Sequence, residues 1–314
     1  MIFEVIVTDS TCLILIASLL HERTPALERA IALVNAGRNT LAVIVHDHLK
    51  SKKIDGFTQD TAVGARPLSR HTDALQGWIE SLAAEERSLG LDVSVLRIEG
   101  DGACTATGSY INTIRPAMVI KDIHHEPSIR RYFLSPLDWY LLRRCLCPIQ
   151  FVAGRSHRLP QKILVAVNLF RIDDNNLHFN DQLLRNASRM AELCLAGLHV
   201  VYVYDWSSIY ASAKPVFGPL PIESEFQQAL SDGLEASLVQ LCERRGIQQD
   251  NRHFLAGSVT STLQAFAERG NFDLLVMGIL PPRNVRKVIG GTAEAILVHA
   301  PCSVLVVKPS VKAP

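Results

Sequence analysis

The sequence predicts an α/β protein built from two doubly wound, five-stranded parallel-sheet domains. Three observations carry that expectation. Short apolar runs rich in Val, Ile and Leu alternate with longer segments whose apolar residues recur three and four apart, the periods of strand and helix. The alternation completes one five-strand set and then begins again. A length of 314 residues suits two cores better than one. Strands that are apolar throughout belong to a parallel sheet covered by helices on both faces.

Each element can be placed in order. The start, MIFEVIVTDSTCLILIASLLHER, lacks the basic opening of a signal peptide and is interrupted by Glu4 and Asp9, so it reads as a short leader and a first strand, LILIASLL. A helix using Leu27, Ala30, Ile31 and Val34 follows, then the strand LAVIVH. A long helix is lined by Leu75, Trp78, Ile79, Leu82 and Leu89. VSVLRIEG, a short helix to about Arg115, AMVIKD, a helix around DWYLLRR and IQFVA close the first set. The polar stretch from Gly154 to Gln161, with Pro160 near its end, reads as a linker and divides the chain into domains 1–156 and 160–314.

The second set opens with KILVAVN at 162 and a helix from about Asp181 carrying Leu184, Ala187, Met190 and Ala191 on one face. LHVVYVYD leads into a Pro-rich loop, Trp206 to Pro221, read as a connector or a lid over an apolar pocket. Phe226, Leu230, Leu234, Leu238 and Leu241 stripe the next helix. RHFLAG, a helix over Thr262 to Arg269, FDLLVMG, a helix from about Thr292 and CSVLVVK complete the set.

Composition excludes several classes. A fifth of the residues are charged and the net charge is +1, with cations spread along the chain, so neither a nucleic-acid nor a membrane partner is expected. The seven cysteines are scattered, without the paired spacing of a zinc site, and fit a reducing, cytoplasmic setting. Cys145 and Cys302 read as core thiols. His46-Asp47-His48 and His124-His125-Glu126 lie at strand ends but offer no helical ligand pair, and no metal is expected there. Trp139 and Tyr140 read as packing against the other half. Asp9, Asp138 and Asp205 are isolated carboxylates, and no Walker loop, HExxH pair or GxSxG elbow occurs, so a catalytic constellation is not visible.

One stretch does carry chemistry. In MGILPPRNVRKVIGGTAEAILVHAPCSVLVV, residues 277 to 307, an apolar strand ends in glycine, a basic loop follows, and Gly-Gly-Thr opens a helix. Glycines admit close approach of backbone N–H groups to phosphate oxygens, and a helix start adds positive partial charge. Ligands in open α/β sheets sit beyond the carboxyl ends of the strands, where the order reverses.

With KILVAVN, FDLLVMG, GGTAEAILVHAPCSVLVVKP, SPLDWYLLRRCLCPIQFV and PALERA in place, the chain resembles the universal stress protein family, in its tandem two-domain form. The resemblance implies the adenine nucleotide alpha hydrolase-like fold, with the two halves packed as an intramolecular pseudo-dimer. In nucleotide-binding members the loop pattern is Gly, two residues, Gly, nine residues, then Gly-Ser or Gly-Thr. Gly278 and Gly291-Thr292 match it here, while Pro281 replaces the second glycine and removes a donor and a sharp turn. Aligning on Thr292-Ala293-Glu294 makes Gly290 the partner instead, and both alignments stay open. The acidic residue expected after the first strand is Asn168 in one half and Ser18 in the other. In the first half Lys121 is read at the first-glycine position, with Pro136-Leu137 near the helix start, so no phosphate cradle is expected there.

Arg283, Arg286 and Lys287 supply cations to the loop for an anionic ligand. On this reading Asn168 meets the base or ribose of ATP or another adenine nucleotide, and Val203 or Tyr204 lies beside the adenine. The resemblance implies a stress-linked regulatory or ligand-binding protein, not an enzyme, with protein partners and either a monomeric or a homodimeric state. Two alternatives stand beside it: a slow ATPase using the same loop, and an interaction module whose pockets are both degenerate.

Overall fold

The computed structural model describes residues 12–17, 22–46, 65–99, 102–123, 134–154, 157–170, 174–217, 224–279 and 291–309. The chain forms two compact units that change over between Gly154 and Arg155, inside the polar stretch read as a linker.

The first unit runs β1 (Cys12–Ile16), α1 (Pro25–Gly37), β2 (Thr40–His46), α2 (Ala65–Ser88), β3 (Val93–Ile98), α3 (Ala103–Ile114), β4 (Met118–Asp122), α4 (Pro136–Arg144) and β5 (Ile149–Val152). Its strands lie in the order β3-β2-β1-β4-β5, all parallel. The second unit runs β6 (Lys162–Ala166), α5 (Asp174–Cys194), β7 (Gly197–Tyr204), α6 (Trp206–Phe217), α7 (Ser224–Glu243), β8 (Arg252–Ala256), α8 (Val259–Arg269), β9 (Leu274–Gly278), α9 (Gly291–Val298) and β10 (Ser303–Val307), with a single 3-10 turn at Gln249–Asn251. Its order, β8-β7-β6-β9-β10, repeats the first, again all parallel. Each unit is therefore doubly wound, with its reversal beside the first strand, between β1 and β4 or between β6 and β9.

The central strands explain why. Leu13 to Ile16, Ile163 to Val165 and Leu274 to Val276 are buried, as two-sided apolar strands must be. Helix starts are set by short polar side chains. The Thr24 hydroxyl accepts the Leu27 N–H at the head of α1, with Pro25 in the first turn where a missing N–H costs nothing.

Two expectations need correcting. The Pro-rich stretch after β7 is not a loop at its start: Trp206–Phe217 is helical, with Pro215 near its end. Helix α5 begins at Asp174, about two turns ahead of the expected start near Asp181. Tyr140 is placed against α3 of its own unit, its ring so close to Gly108 that a Cβ there would overlap it, with Tyr140 Cζ at 3.2 Å. Trp139 lies under the Arg143 guanidinium, 5.5 Å from the ring centroid.

Candidate functional site

Backbone hydrogen bonds give the two units a common frame. Ala17 N–H donates to Ile44 O (2.9 Å) and Val167 N–H donates to Val201 O (3.0 Å) at the ends of β1 and β6. Ile123 N–H donates to Val152 O, and Ile279 N–H to Val307 O, both at 2.9 Å. Ile123 and Ile279 therefore correspond, and the residue matching Gly278 is Asp122. This corrects the sequence expectation by one position, since Lys121 matches Met277. Counting back from Val152 and Val307 puts Pro136 opposite Gly291, Leu137 opposite Thr292 and Asp138 opposite Ala293.

In the second unit Gly278 ends β9, with the α5 ring of Phe179 packed against it. A Cβ at position 278 would overlap Phe179 Cε1 and come within 2.6 Å of Cζ, and Phe179 is buried, so the ring has little room to retreat. Packing alone thus requires this glycine. Gly291 is different. It opens α9, is exposed, and among the described residues outside its own turn no atom lies within 4 Å of where a Cβ would stand. Thr292 beside it is half-buried. The described residues leave the backbone at Gly291 exposed, and a helix end favours negative charge.

Asn168, just past β6, is exposed. Its main chain is clamped from α5 by Asn180, whose side-chain oxygen accepts the Asn168 N–H (3.2 Å) and whose amide donates to Asn168 O (2.7 Å). Asn180 is 1% exposed, so the clamp works in a dry setting where its hydrogen bonds are strong. The Asn168 side-chain oxygen accepts the Phe170 N–H at 3.2 Å, an Asx-type turn that commits this oxygen to its own loop. Nothing in the local sequence singles out Asn180; its role comes from the helix carrying it back over the strand end.

Val203 is buried in β7 and paired with Leu255 of β8. Tyr204 is half-buried, its hydroxyl donating to Gln227 O at 3.2 Å. Beyond it Asp205 is no isolated carboxylate. It accepts the hydroxyls of Ser207 (2.5 Å) and Ser208 (2.7 Å) and the Ser208 N–H (3.2 Å). Burial pushes its pKa up, but these hydrogen bonds and one from Val259 N–H prevail and hold it below the usual value. Asp205 is thus a helix-capping residue, and Asp-x-Ser-Ser is the signal for the helix the proline content obscures. The α6 start presents half-buried Trp206, its ring 6.1 Å from Tyr210 and 6.3 Å from Phe226.

At the matching place the first unit buries charged groups of its own, and one oxygen, Asp122 Oδ2, has no hydrogen-bond partner among the described residues. Asp122 is buried, and its Oδ1 accepts the Ala26 N–H at the head of α1 (2.8 Å). Burial raises its pKa, against the opposing pull of the Thr24 hydroxyl, the Ala26 N–H and the Lys121 charge. Lys121 and Asp138, both buried, form an ion pair at 3.0 Å. Asp138 also closes a capping box, its Oδ2 accepting Ser135 N–H (2.7 Å) while its own N–H donates to Ser135 Oγ (3.2 Å). The α4 start already holds an anion of its own, and Pro136 replaces the N–H that Gly291 offers in α9.

Pro281, Arg283, Arg286, Lys287 and Gly290 of the loop lie outside the described residues, as do Ser18, Asp9, Asp47, His48, His124 and His125. Among the described residues no group of three or more His, Cys, Asp or Glu side chains is arranged to hold a metal ion, and no helix is long and apolar enough to cross a membrane. Cys145 and Cys302 are buried, as read from the sequence.

Comparison with known proteins agrees with this repeated architecture. Residues 160–308 match the universal stress protein family. The chain is 24% identical to a universal stress protein E homolog of Haemophilus influenzae over 93% of its own length and 95% of the relative's. It is 23% identical to universal stress protein E of Photorhabdus laumondii, covering 91% and 90% of the two chains. Among solved structures, a functionally unknown protein from Pseudomonas aeruginosa superposes with a TM-score of 0.73 at 20% identity, covering 96% of this chain and 93% of that one. A universal stress protein from Archaeoglobus fulgidus superposes at 0.64 and 15% identity, covering 96% and 99%.

Proposed function

We propose that this chain, a tandem member of the universal stress protein family that resembles universal stress protein E, is a stress-linked ligand-binding protein whose second unit alone holds a small anionic ligand. An adenine nucleotide is the ligand class that best fits the pattern Gly278, Gly291, Thr292 and the cations Arg283, Arg286 and Lys287. The observation carrying this reading is the contrast at one pair of positions. Gly291 leaves the α9 start open and exposed, whereas the matching α4 start is closed by Pro136 and by the Asp138 carboxylate. An anion gains backbone N–H donors and a helix end at the first and meets like charge at the second. In this reading the clamped turn at Asn168 forms one wall, and Arg283 pairs with the ligand's charge.

Function here is binding, and the response to stress follows from which ligand is held. A reading as a protein-interaction module has one observation in its favour: Phe179 accounts for Gly278 without any phosphate.

Two measurements separate these. Denaturing freshly purified protein and analysing the released small molecules by mass spectrometry is expected to recover a phosphorylated adenine compound. Calorimetric titration of ATP into Gly291→Ala is the sharper test, because the added methyl meets nothing within 4 Å among the described residues outside its own turn, and the fold is expected to tolerate it. Loss of affinity with an unchanged unfolding curve supports ligand approach at α9. Equal heats from the variant and the parent place the ligand elsewhere, and no binding by either favours the interaction module.

A further inference from the structure

A second polar cluster lies at the amino ends of β6, β7 and β8, the opposite ends of these strands from Asn168 and Tyr204. His199 Nδ1 of β7 and His253 Nε2 of β8 are 3.0 Å apart, with ring centroids separated by 5.3 Å and ring planes within 14°. The rings are nearly coplanar and meet edge to edge, nitrogen facing nitrogen, as a direct N–H···N hydrogen bond requires. Phe272 meets the His199 ring edge-on at 5.1 Å, and Phe266 of α8 lies 4.8 Å from His253. Lys162 of β6 sits over the Phe272 ring at 4.6 Å and donates to Gly270 O, just past α8, at 3.0 Å. One compact group therefore ties edge strand β8 and the carboxyl end of α8 to the sheet.

We propose that the His199–His253 pair is an acid-released latch that holds β8 and α8 on the second unit. The proton arithmetic is simple. In the neutral pair one imidazole donates across the gap and the other accepts. A third proton goes to an outer nitrogen and leaves the bond intact, but it sets a cation beside the Lys162 ammonium. A fourth has only the facing nitrogen to occupy, which turns N–H against N–H and breaks the bond. The other charged groups around the pair do not offset this. Asp273, next to Phe272, is turned to the N–H groups of Gln161 and Lys162 and to His157. On α8, Glu268 is exposed and Arg269 donates to Ala265 O. On β8, Arg252 is taken up by Ile247 O and Glu243.

Burial, then Lys162, then His253 push His199 down to about 4, and burial and Lys162 lower His253 as well. The opened form binds these protons more readily than the closed form. The latch is therefore fully held above the ordinary histidine range, weakens as pH falls through it, and weakens no further below the lowered values. Opening of β8 and α8 is expected to rise by roughly tenfold to a hundredfold between pH 7 and pH 4, allowing for solvent screening of a half-buried pair.

Amide hydrogen exchange on the full chain at pH 7 and pH 4, corrected for intrinsic rates, tests this. The expected result is a selective loss of protection in β8 and α8 that is absent from His199→Phe/His253→Leu. An equal loss in that double variant overturns the latch. Histidine NMR titration of the parent chain provides a check that needs no variant: both imidazoles titrating near the ordinary value, with the rings still bonded, also overturns it.

Discussion

The two units share a strand order and a register, yet treat the same corner in opposite ways. In the first, Lys121, Asp122 and Asp138 are buried: Lys121 pairs with Asp138, Asp138 caps α4 through Ser135, and one Asp122 oxygen accepts the Ala26 N–H. In the second, Gly278 yields its space to Phe179, and Gly291 leaves a helix start exposed. One copy has turned its corner into structure and the other has kept it as surface. On the proposed reading, the Asp138 carboxylate of the first unit stands at a helix start where the second unit would take the charge of a ligand.

The largest expected effect comes from breaking the Lys121–Asp138 pair. Asp138→Ala leaves the buried Lys121 ammonium unpaired and removes a capping box, and the first unit should lose about 3–5 kcal/mol in urea unfolding. Lys121→Met/Asp138→Leu should recover most of this, since an apolar pair of similar volume replaces both charges. If Asp138→Ala unfolds like the parent, the pair is an ornament and the contrast between the units is weaker than described.

Gly278→Ala comes next. The added Cβ must displace a buried ring, at a cost of about 1–3 kcal/mol seen as a lowered urea midpoint. Asp122→Ala, at the matching position, should cost about 1 kcal/mol through loss of the N–H acceptor at the head of α1. Equal costs would mean that the two positions play the same part.

Acid sharpens the comparison further because its sign differs between the units. The histidine pair is lowered, so the second unit loses stability as pH falls from the ordinary histidine value to about 4. Asp122 is raised, so the folded first unit binds its proton more readily than the unfolded chain does. Its contribution grows as pH drops through the raised value toward the ordinary carboxyl range. Unit-resolved hydrogen exchange across this range should show the two trends diverging. The smallest effect is expected from Pro281→Gly, which restores one backbone donor and should tighten ATP binding by up to about tenfold in calorimetry.

Much of the fold was legible because a two-sided apolar strand has few other interpretations. KILVA and LLVMG announce themselves, and the repeat then fixes the order. Helix α6 was obscured because Pro215 and the prolines beyond it suggest a loop, while the cap that starts it depends on Asp205 reaching Ser207 and Ser208. The site was legible only where chemistry is local. Gly291-Thr292 at a helix start can be read from neighbours in sequence. The reason for Gly278 cannot, since Phe179 reaches it from another helix. The one-residue error at Lys121 has the same origin: an apolar run does not say where its strand stops hydrogen bonding, and Ile123 N–H to Val152 O does.

The exposed start of α9 also has an ionic consequence. A buried pair such as Lys121–Asp138 is scarcely touched by dissolved salt, but an open helix end is offered to every abundant anion in its surroundings. On the proposed reading, phosphate, sulfate and nucleotides compete for one place, and the occupancy of the second unit follows the anion composition of the medium, not the concentration of one ligand alone.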